Sequence, residues 1–533
     1  MRKKMNVWIT LILAAALLLT AAACSKQPAQ QEPTQPVPVV DPVSDNYRTY
    51  YQIFVGSFSD SNNDGIGDLR GVINRFDYLN DGDINSGKSL GVQGIWLSPI
   101  FTSPSYHKYD AKDYYQVDWR FGTEEDLKEL IALCRERNVQ LILDLAINHT
   151  SKEHEWFLQF KEARAKGDTE NPYYYYYSCA TEEERLNGVT YQKIAGCPYW
   201  YECNFSGDMP ELDFDNPTVR EEVLKIAKYY LDLGVSGFRF DAVKYIYYGD
   251  TVRSVDFWEW YMEELRKIKP DIYCVGECWS GETEILDYYS AMNCFNFATS
   301  QAEGIIASAA KGHGMSNYTN YMASFQKKVL EKNPEGMPMS FLSNHDMDRI
   351  AGAFIVENYM RMAANLYLLS PGSPVIYYGE EIGMRGSRGG EMTDANRRLA
   401  MLWGDGDYIR NPVGSTYPDK NQIQTTVVDQ MADENSLYSY YCNLIAIRHK
   451  YPAIARGLYT AVNAEKHLGG FVIQWQDETL GILHNNGNAE ITYDLSKFGD
   501  GSFTVLCDYI GIGTAVLDGT MLTVGPQTSV IIK

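Results

Sequence analysis

Residues 235–243 read VSGFRFDAV, a short apolar run that carries Arg239 and Asp241 near its end. Amphipathic segments such as residues 124–138 and 216–234 alternate with runs of this kind, which is the pattern of repeated β-α-β units. Eight strands with helical crossovers predict an α/β protein built on a closed (β/α)8 barrel rather than an open doubly wound sheet. The other seven runs are YYQIFVGSF (50–58), VQGIWLSP (92–99), VQLILDLAIN (139–148), IYCVGEC (272–278), MNCFNF (292–297), MPMSFLSN (337–344) and SPVIYYGEE (373–381).

Two regions depart from this repeating pattern. Residues 149–215, rich in Tyr, Cys and Gly, predict an inserted subdomain after the third strand. Residues 457–533 consist of short alternating segments with Gly and Asn-Gly turns, which predict a C-terminal antiparallel β-sandwich. The barrel then extends over residues 47–456. Cys179, Cys197 and Cys203 lie in the insertion, where one disulfide is compatible with an exported protein, but the sequence does not select a pair.

The N-terminal residues have the layout of an export signal. Arg2, Lys3 and Lys4 precede an apolar run that ends in small residues before Cys24. LTAAAC (19–24) is similar to a lipoprotein signal, so we expect residues 1–24 to be a signal with Cys24 as the acylated residue; an ordinary signal peptide or an uncleaved anchor are the alternatives. Residues 25–46 are polar and Pro-rich and predict a flexible tether. We therefore expect a protein lipid-anchored on the extracytoplasmic side, held to the membrane only through that anchor.

Composition limits the class of partner. The 533 residues are 45% hydrophobic, enough for one large barrel with appendages, and the formal charge is -22. This charge argues against nucleic acid, which is bound by neutralising phosphates. The 40 Tyr and 10 Trp suit stacking on sugar faces, although most such rings fill cores. By itself this aromatic content is weak evidence, and we expect a monomer that binds no nucleic acid.

Polar residues end four of the eight apolar runs. In a (β/α)8 barrel the reactive groups gather at the C-terminal ends of the strands. A single carboxylate there is readily explained as a cap or as half of a salt bridge. Three from different strands, without a basic cluster to neutralise them, are costly unless the site uses their charge. The residues at these ends are Asp144, Asn148 and His149 (third run), Arg239, Asp241 and Lys244 (fourth), Glu277 (fifth), and His345 and Asp346 (seventh).

Two of these carboxylates are predicted to differ in protonation. Arg239 and Asp241 are two residues apart on a strand, so both side chains leave the same face and the arginine keeps the aspartate ionised. Glu277, flanked by Cys278 and Trp279, is expected to be less well solvated and protonated. A nucleophilic carboxylate and an acid carboxyl about 5 to 5.5 Å apart are the pair of a retaining glycosidase.

Asp346 is the third carboxylate of this predicted site. Its expected task is to accept hydrogen bonds from ring hydroxyls of a sugar, bonds that strengthen at an oxocarbenium-like transition state. His149 and His345 are candidates for supporting donors. The three acids together therefore predict glycoside hydrolysis.

These strand ends resemble the signature regions of the α-amylase family, glycoside hydrolase family 13. The resemblance covers nearly the whole chain after the tether and includes DMPELDFDNP (208–217). It implies that Asp241 is the nucleophile, Glu277 the acid/base and Asp346 the transition-state stabiliser. It also implies a set of substrate-binding residues: Tyr109 in HKYD as the platform under the cleaved sugar, with His149, Arg239, Lys244, His345 and Arg398.

The sequence DSNNDGIGD (60–68) predicts a calcium site. Gly65 permits a tight turn, and oxygen ligands at alternating positions suit this hard cation. The segment is not an EF-hand, because Gly71 stands where the bidentate glutamate belongs; a solvated acidic turn is the alternative. The family resemblance also suggests a second calcium site at Asn148 and Asp213. The ligands expected in the first site are Asp60, Asn62, Asp64, the Ile66 carbonyl and Asp68.

Specificity is less closely defined by the sequence. Ala242 follows Asp241, where relatives that cut α-1,6 bonds often carry valine, so the resemblance favours a retaining α-1,4 hydrolase of starch, maltodextrin or maltooligosaccharides. Tyr245 replaces a common histidine and leaves the preferred chain length open. The alternatives are a 4-α-glucanotransferase, an oligo-1,6-glucosidase or neopullulanase-like specificity, and a non-catalytic glycan-binding surface lipoprotein.

Overall fold

The computed structural model describes residues 45–84, 86–354, 356–389, 392–417 and 425–533. The signal, Cys24 and nearly all of the tether expected from the sequence lie outside these described residues. Within the described ranges, no helix is both long and apolar enough to cross a membrane.

Parallel strands form the centre of the molecule. The sheet order is β11-β10-β9-β5-β2-β1-β12, and the eighth position is taken by Met339–Phe341, which bridges Phe295 on one side and Val375 on the other. The ring therefore closes, as the eight runs predicted. The strands up to this point are β1 (Tyr50–Ile53), β2 (Gly94–Leu97), β3 (Phe101–Thr102), β4 (Asp113–Val117), β5 (Gln140–Leu145), β6 (Cys179–Ala180), β7 (Tyr191–Lys193), β8 (Trp200–Glu202), β9 (Gly237–Phe240), β10 (Tyr273–Gly276), β11 (Asn293–Cys294) and β12 (Val375–Tyr377).

Helices connect these strands. Local sequence signals define the ends of several of them: Thr123 and Asp126 form a capping box at the start of one, and Asn216 caps another that begins with Pro217 and ends before Gly234 in a left-handed conformation. Both helices were predicted. The helices of this part are α1 (Leu69–Asn74), α2 (Phe76–Leu79), α3 (Glu124–Glu136), α4 (Glu155–Lys166), α5 (Pro217–Leu233), α6 (Thr251–Ile268), α7 (Glu282–Tyr288), α8 (Ile305–Ala310), α9 (Met315–Lys332) and α10 (Glu357–Leu368).

The long segment after β5 folds into its own small unit. It contains α4 and an antiparallel sheet in the order β6-β8-β7. Bridges from His149 to Glu211 and from Tyr177 to Leu212 tie its two ends together. Cys179, Cys197 and Cys203 are free thiols, so none of the pairings left open by the sequence is present.

The C-terminal residues form two facing antiparallel sheets. One has the order β13-β14-β15-β20-β17 and the other β16-β19-β18, and apolar side chains such as Leu483, Phe498 and Leu522 pack between them. The elements are α11 (Val427–Met431), α12 (Leu437–Lys450), α13 (Ala453–Arg456), β13 (Leu458–Asn463), β14 (Leu468–Trp475), β15 (Glu478–Asn485), β16 (Ile491–Asp494), β17 (Leu506–Gly511), β18 (Ala515–Asp518), β19 (Met521–Val524) and β20 (Thr528–Ile532).

The apolar core of the barrel continues into the inner sheet of this sandwich. Phe471 and Ile482 belong to the same buried cluster as the barrel strands. Gln326 on α9 donates to the Gly457 carbonyl at 2.8 Å and accepts from the Tyr459 amide at 3.0 Å. The sandwich is thus fixed to the barrel by both apolar packing and directed hydrogen bonds.

Candidate active site

A cavity of about 570 Å³ lies where the barrel strands end. Asp241, Glu277 and Asp346 line it, so the structure brings the three predicted carboxylates together. Four of the predicted substrate-binding residues line it as well, whereas Arg239 and His345 are fully buried behind its wall. The four are Tyr109, His149, Lys244 and Arg398.

Arg239, buried behind the cavity wall, lies close to the carboxyl groups of Asp144, Asp241 and Glu277. Its Nη1 donates to Asp241 at 2.6 Å and to Asp144 at 2.8 Å. Its Nη2 lies 3.1 Å from Glu277 but makes no directed hydrogen bond there. One buried guanidinium thus contacts both the predicted nucleophile and the predicted acid, which places these two carboxyls beside the same cation.

The backbone turns sharply immediately after Asp241. Ala242 has a φ of 51°, in the left-handed region that non-glycine residues seldom adopt. This turn directs the Ala242 amide to Glu277 Oε2 at 3.3 Å and the Val243 amide to the Glu277 carbonyl at 3.1 Å. Backbone strain of this kind is typical of functional sites, and here it joins the ends of β9 and β10.

Glu277 lies in an environment that favours its protonated form. Its side chain is 11% exposed. Burial raises the pKa of Glu277 to about 8, and the negative charges of Asp241 and Asp346 add to the rise while Arg239 opposes it. This environment favours the protonated carboxyl near neutral pH, the form that can give a proton to a leaving group.

Asp346 lies in the opposite kind of environment. Arg398 Nη2 donates to one of its oxygens at 2.8 Å, and His345 Nε2 lies 2.9 Å from the other. Burial alone would raise the pKa of Asp346, but the contact with His345 and the positive charge of Arg398 outweigh that cost and hold the pKa well below its usual range. Asp346 is consequently an anion that faces the cavity.

Tyr109 is held by groups that the sequence did not connect. Its hydroxyl donates to Asp144 at 2.8 Å, and its ring stacks on His345 with centroids 5.2 Å apart. His345 Nδ1 lies 2.8 Å from the Gln52 amide nitrogen, which assigns the ring proton to Nε2, on the side of Tyr109 and Asp346. His345 thus holds these two residues in place and does not face the cavity itself.

His149 and Lys244 are already engaged within the protein. His149 Nε2 lies 3.1 Å from the Tyr109 carbonyl, and Lys244 Nζ donates to the Trp279 carbonyl at 2.8 Å. Burial lowers the pKa of His149, so its ring is neutral. Both side chains shape the cavity wall as well as face its interior.

Several cavity residues were not predicted as site residues. Trp279 is 42% exposed and Phe205 is 44% exposed at the rim, which is unusual for such large rings. Phe205 packs on Tyr245 at 4.5 Å between centroids. In the sequence, Trp279 was marked only by its position near a predicted strand end, and Phe205 only by its position in the insertion. The other residues missed are Tyr106, His107, Met209, Met392, Thr393 and Asp394.

The loop predicted to bind calcium is folded by its own side chains. Asp60 accepts hydrogen bonds from the Asn62, Asn63 and Gly65 amides, and Asp64 accepts from the Ile66 amide. These contacts leave further lone pairs on each carboxylate, so the oxygen-rich donor set fits a hard cation. In the part of the chain that the structure describes, no three His, Cys, Asp or Glu side chains form a ready metal cluster.

The residues of the second suggested calcium site lie at the base of the inserted unit. The Asn148 carbonyl accepts from the Leu212 amide at 3.0 Å, and its side-chain nitrogen is buried without a hydrogen-bond partner. Burial raises the pKa of Asp213, which disfavours a bare anion there. Asn148 and Asp213 therefore remain a suggested site.

A closed (β/α)8 barrel whose strand ends bring three acids into one sugar-sized cavity defines a glycosidase. Residues 52–457 match the family model described as the α-amylase catalytic domain. The chain is 34% identical over 505 residues to Alpha-amylase 3 of Dictyoglomus thermophilum, covering 91% of this chain and 92% of that protein. It belongs to the α-amylase family.

Two further similarities bear on function. The solved structure of Eubacterium rectale Amy13B is 33% identical, with a TM-score of 0.85 over 92% of this chain and 96% of that one. A 4-alpha-glucanotransferase of Thermotoga maritima is 34% identical over 351 residues, which is 63% of this chain and 72% of that protein. The chain is thus similar both to a protein named as an α-amylase and to one named as a 4-α-glucanotransferase.

Proposed function

We propose that the chain hydrolyses α-1,4-glucosidic bonds of starch, maltodextrin or maltooligosaccharides with retention of anomeric configuration. The observation that carries this proposal is the contact of one buried guanidinium, Arg239, with both Asp241 and Glu277. The two carboxyls are close, yet burial favours a proton on Glu277 while Arg239 donates directly to Asp241. A neutral acid beside an ion-paired carboxylate is what double displacement requires.

In this mechanism Asp241 attacks the anomeric carbon while Glu277 protonates the departing oxygen. The glycosyl-enzyme is then hydrolysed by water from which Glu277, now ionised, removes a proton. Asp346 holds ring hydroxyls as positive charge develops, with Arg398 and His345 keeping it ionised. Tyr109 supports the sugar ring.

A time course with maltoheptaose tests this proposal. Reducing ends, product lengths and the anomer released first are followed together for the protein without residues 1–44. Rising reducing ends with short products released as α-anomers are expected. Products released first as β-anomers would refute the retaining mechanism, and untouched maltoheptaose and starch would refute the substrate class.

A 4-α-glucanotransferase is the second candidate. Its support is the similarity to the Thermotoga maritima protein and the exposed rings of Trp279 and Phe205, which offer a surface for an acceptor sugar. The same covalent intermediate serves both reactions. In the same time course, products longer than maltoheptaose with nearly constant reducing ends would assign transfer.

We further propose that the loop 60–68 binds a structural calcium ion and that the protein is exported and lipid-anchored through Cys24. The calcium proposal is supported by the donor chemistry of Asp60, Asn62, Asp64, Asp68 and the Ile66 carbonyl. The anchoring proposal is supported by LTAAAC at residues 19–24. Mass spectrometry of the protein from the membrane fraction tests the latter: an unmodified Cys24 or an uncleaved N-terminus would refute it.

A further inference from the structure

The loop 103–112 between β3 and β4 is irregular, yet it carries three residues of the cavity. These are Tyr106, His107 and Tyr109. Irregular loops are normally the more mobile parts of a fold, whereas a sugar platform must keep its place to within a fraction of an ångström. Asp144 and His345 hold the end of the Tyr109 side chain, and the backbone of the loop needs contacts of its own to stay in place.

Lys108 stands in the middle of this loop in an unusual state. Its φ is 68°, a left-handed conformation that is unfavourable for a non-glycine residue. Its side chain is only 1% exposed, and Nζ donates to the Ser105 carbonyl at 2.8 Å and lies 3.0 Å from Asp118. Burial lowers the pKa of Lys108 to about 8, and the contact with Asp118 limits the fall. Both the conformation and the buried cation disfavour the fold unless they are compensated.

Asp118 is fixed independently of Lys108. It lies immediately after β4, and its amide donates to the Ile100 carbonyl at 2.8 Å. Its two oxygens accept from Arg120 Nε and Nη2, each at 2.8 Å, and one of them also accepts from the Ser103 amide at 3.2 Å. Asp118 is therefore an anchor at the base of the hairpin, and Lys108 is the only residue in the middle of the loop that the described contacts tie to it.

We propose that Lys108 is a positioning residue, whose buried ion pair with Asp118 holds Tyr109 and His107 in the active-site cavity. Lys108 is the covalent neighbour of both, and the Tyr109 amide is 3.2 Å from His107 Nδ1. A glycine would remove the conformational cost and a neutral side chain would remove the buried charge. Neither would keep the connection to Asp118, which explains why a strained, buried lysine stands here.

The main perturbation is Lys108→Gly, because glycine accepts the left-handed backbone without strain; since glycine also loosens the backbone, Lys108→Met, which removes the charge and keeps a side chain, is measured beside it. A shift of about 1 Å in a substrate-positioning group costs about 10²-fold in rate. We expect kcat/KM on maltoheptaose to fall about 10- to 100-fold in this variant. In a Tyr109→Ala background the same change should cost less than about threefold, because residues that act as a unit are non-additive.

Two control variants accompany the cycle. Gln527→Gly relieves another buried left-handed residue, with a φ of 47°, in the sandwich and should leave kcat/KM unchanged. Lys108→Arg keeps a cation facing Asp118 and should retain most of the rate. The proposal would be overturned if the decrease in kcat/KM of the double variant equalled the product of the decreases in Lys108→Gly and Tyr109→Ala. It would also be overturned if Lys108→Arg lost as much kcat/KM as Lys108→Gly. If Lys108→Gly does not fold, Lys108→Met replaces it in the cycle.

Amide hydrogen exchange gives a readout that needs no substrate. Exchange in residues 103–112 should be faster in Lys108→Gly than in the parent protein, with no change in β13 to β20. The kinetic test depends on the proposed function, whereas the exchange test does not. An inactive parent protein would thus refute the proposed function alone, and unchanged exchange in the loop would refute the positioning role alone.

Discussion

Replacing Glu277 by glutamine removes one ionisable proton from the cavity while keeping the shape of the side chain. The amide still offers an oxygen to the Ala242 amide, which Glu277 Oε2 meets at 3.3 Å. The variant therefore separates the effect of the proton from the effect of packing. It is expected to change both stability and catalysis, each with a distinct signature.

The stability effect depends on pH and has a definite sign. The folded protein raises the pKa of Glu277 from 4.5 to about 8, so it holds this proton more tightly than the unfolded chain does. The resulting stabilisation is complete below pH 4.5 and is lost as pH rises to about 8. At 1.36 kcal/mol per pKa unit the full change is on the order of 5 kcal/mol, as an upper bound because solvent reaches part of the side chain. Glutamine does not titrate, so the Tm of the variant relative to the parent should increase between pH 5 and 8.

The catalytic effect depends on the leaving group. On maltoheptaose the loss of the general acid should lower kcat by about 10² to 10⁴-fold, which is roughly 3 to 5 kcal/mol of transition-state stabilisation. On α-maltosyl fluoride, whose leaving group needs much less protonation, the loss should be far smaller. In the parent protein kcat/KM on maltoheptaose should decrease above a pH of about 8, as Glu277 loses its proton.

Calorimetry at several pH values and steady-state kinetics on the two substrates check these expectations. Glu263→Gln on α6, whose side chain is 72% exposed, is the matched control and should change neither quantity. A Tm difference independent of pH would refute the buried, protonated state of Glu277. Equal losses on both substrates would refute its role as the acid.

Three further predictions concern Asp241, Ala242 and the proposed calcium loop. Asp241→Asn should lower turnover of maltoheptaose by about 10³-fold or more, since no nucleophile remains, and persistent turnover would reject the assignment. Ala242→Val places a β-branched residue at a φ of 51° and should lower stability by about 1 to 2 kcal/mol, whereas Ala242→Gly should not; equal Tm values for the two variants would contradict the strain. Removal of calcium with a chelator should lower the Tm of the parent but not of Asp60→Ala, because a ligand bound only by the folded state stabilises it, and an unchanged Tm with metal shown absent by elemental analysis would reject the site.

The barrel was predictable because its strands are buried on both faces. Such strands are continuous apolar runs, and the polar residues that end them, such as Asp241 and Glu277, therefore stand out. The seventh run was found in the same way, although Met339–Phe341 makes only isolated bridges and forms no regular ladder. The helices within residues 124–138 and 216–234 were predictable as amphipathic segments, and the structure shows that Asn216 and Gly234 define the ends of the second one.

The remainder of the cavity was not predictable for a physical reason. Phe205 and Met392 lie on irregular segments without hydrophobic periodicity, so no local pattern indicates where their side chains point. His345 holds Tyr109 and Asp346 in place, and its orientation depends on Gln52 and Tyr109, which are distant from it in sequence. The free state of Cys179, Cys197 and Cys203 likewise depends on three-dimensional distances that spacing does not give.

The apolar core that runs from the barrel into the inner sheet of the sandwich has a consequence for modularity. Domains that share one apolar core are expected to unfold together. Moving such a domain into another protein therefore requires matching changes in the surface of the neighbouring domain. If the chain ended at residue 456, the barrel side chains that pack against Phe471 and Ile482, such as Tyr318 on α9, would meet water, and so would the surface of α9 against which β13 lies. We therefore expect the sandwich and the catalytic barrel to unfold as one cooperative unit, so that limited proteolysis between α13 and β13 releases no folded barrel.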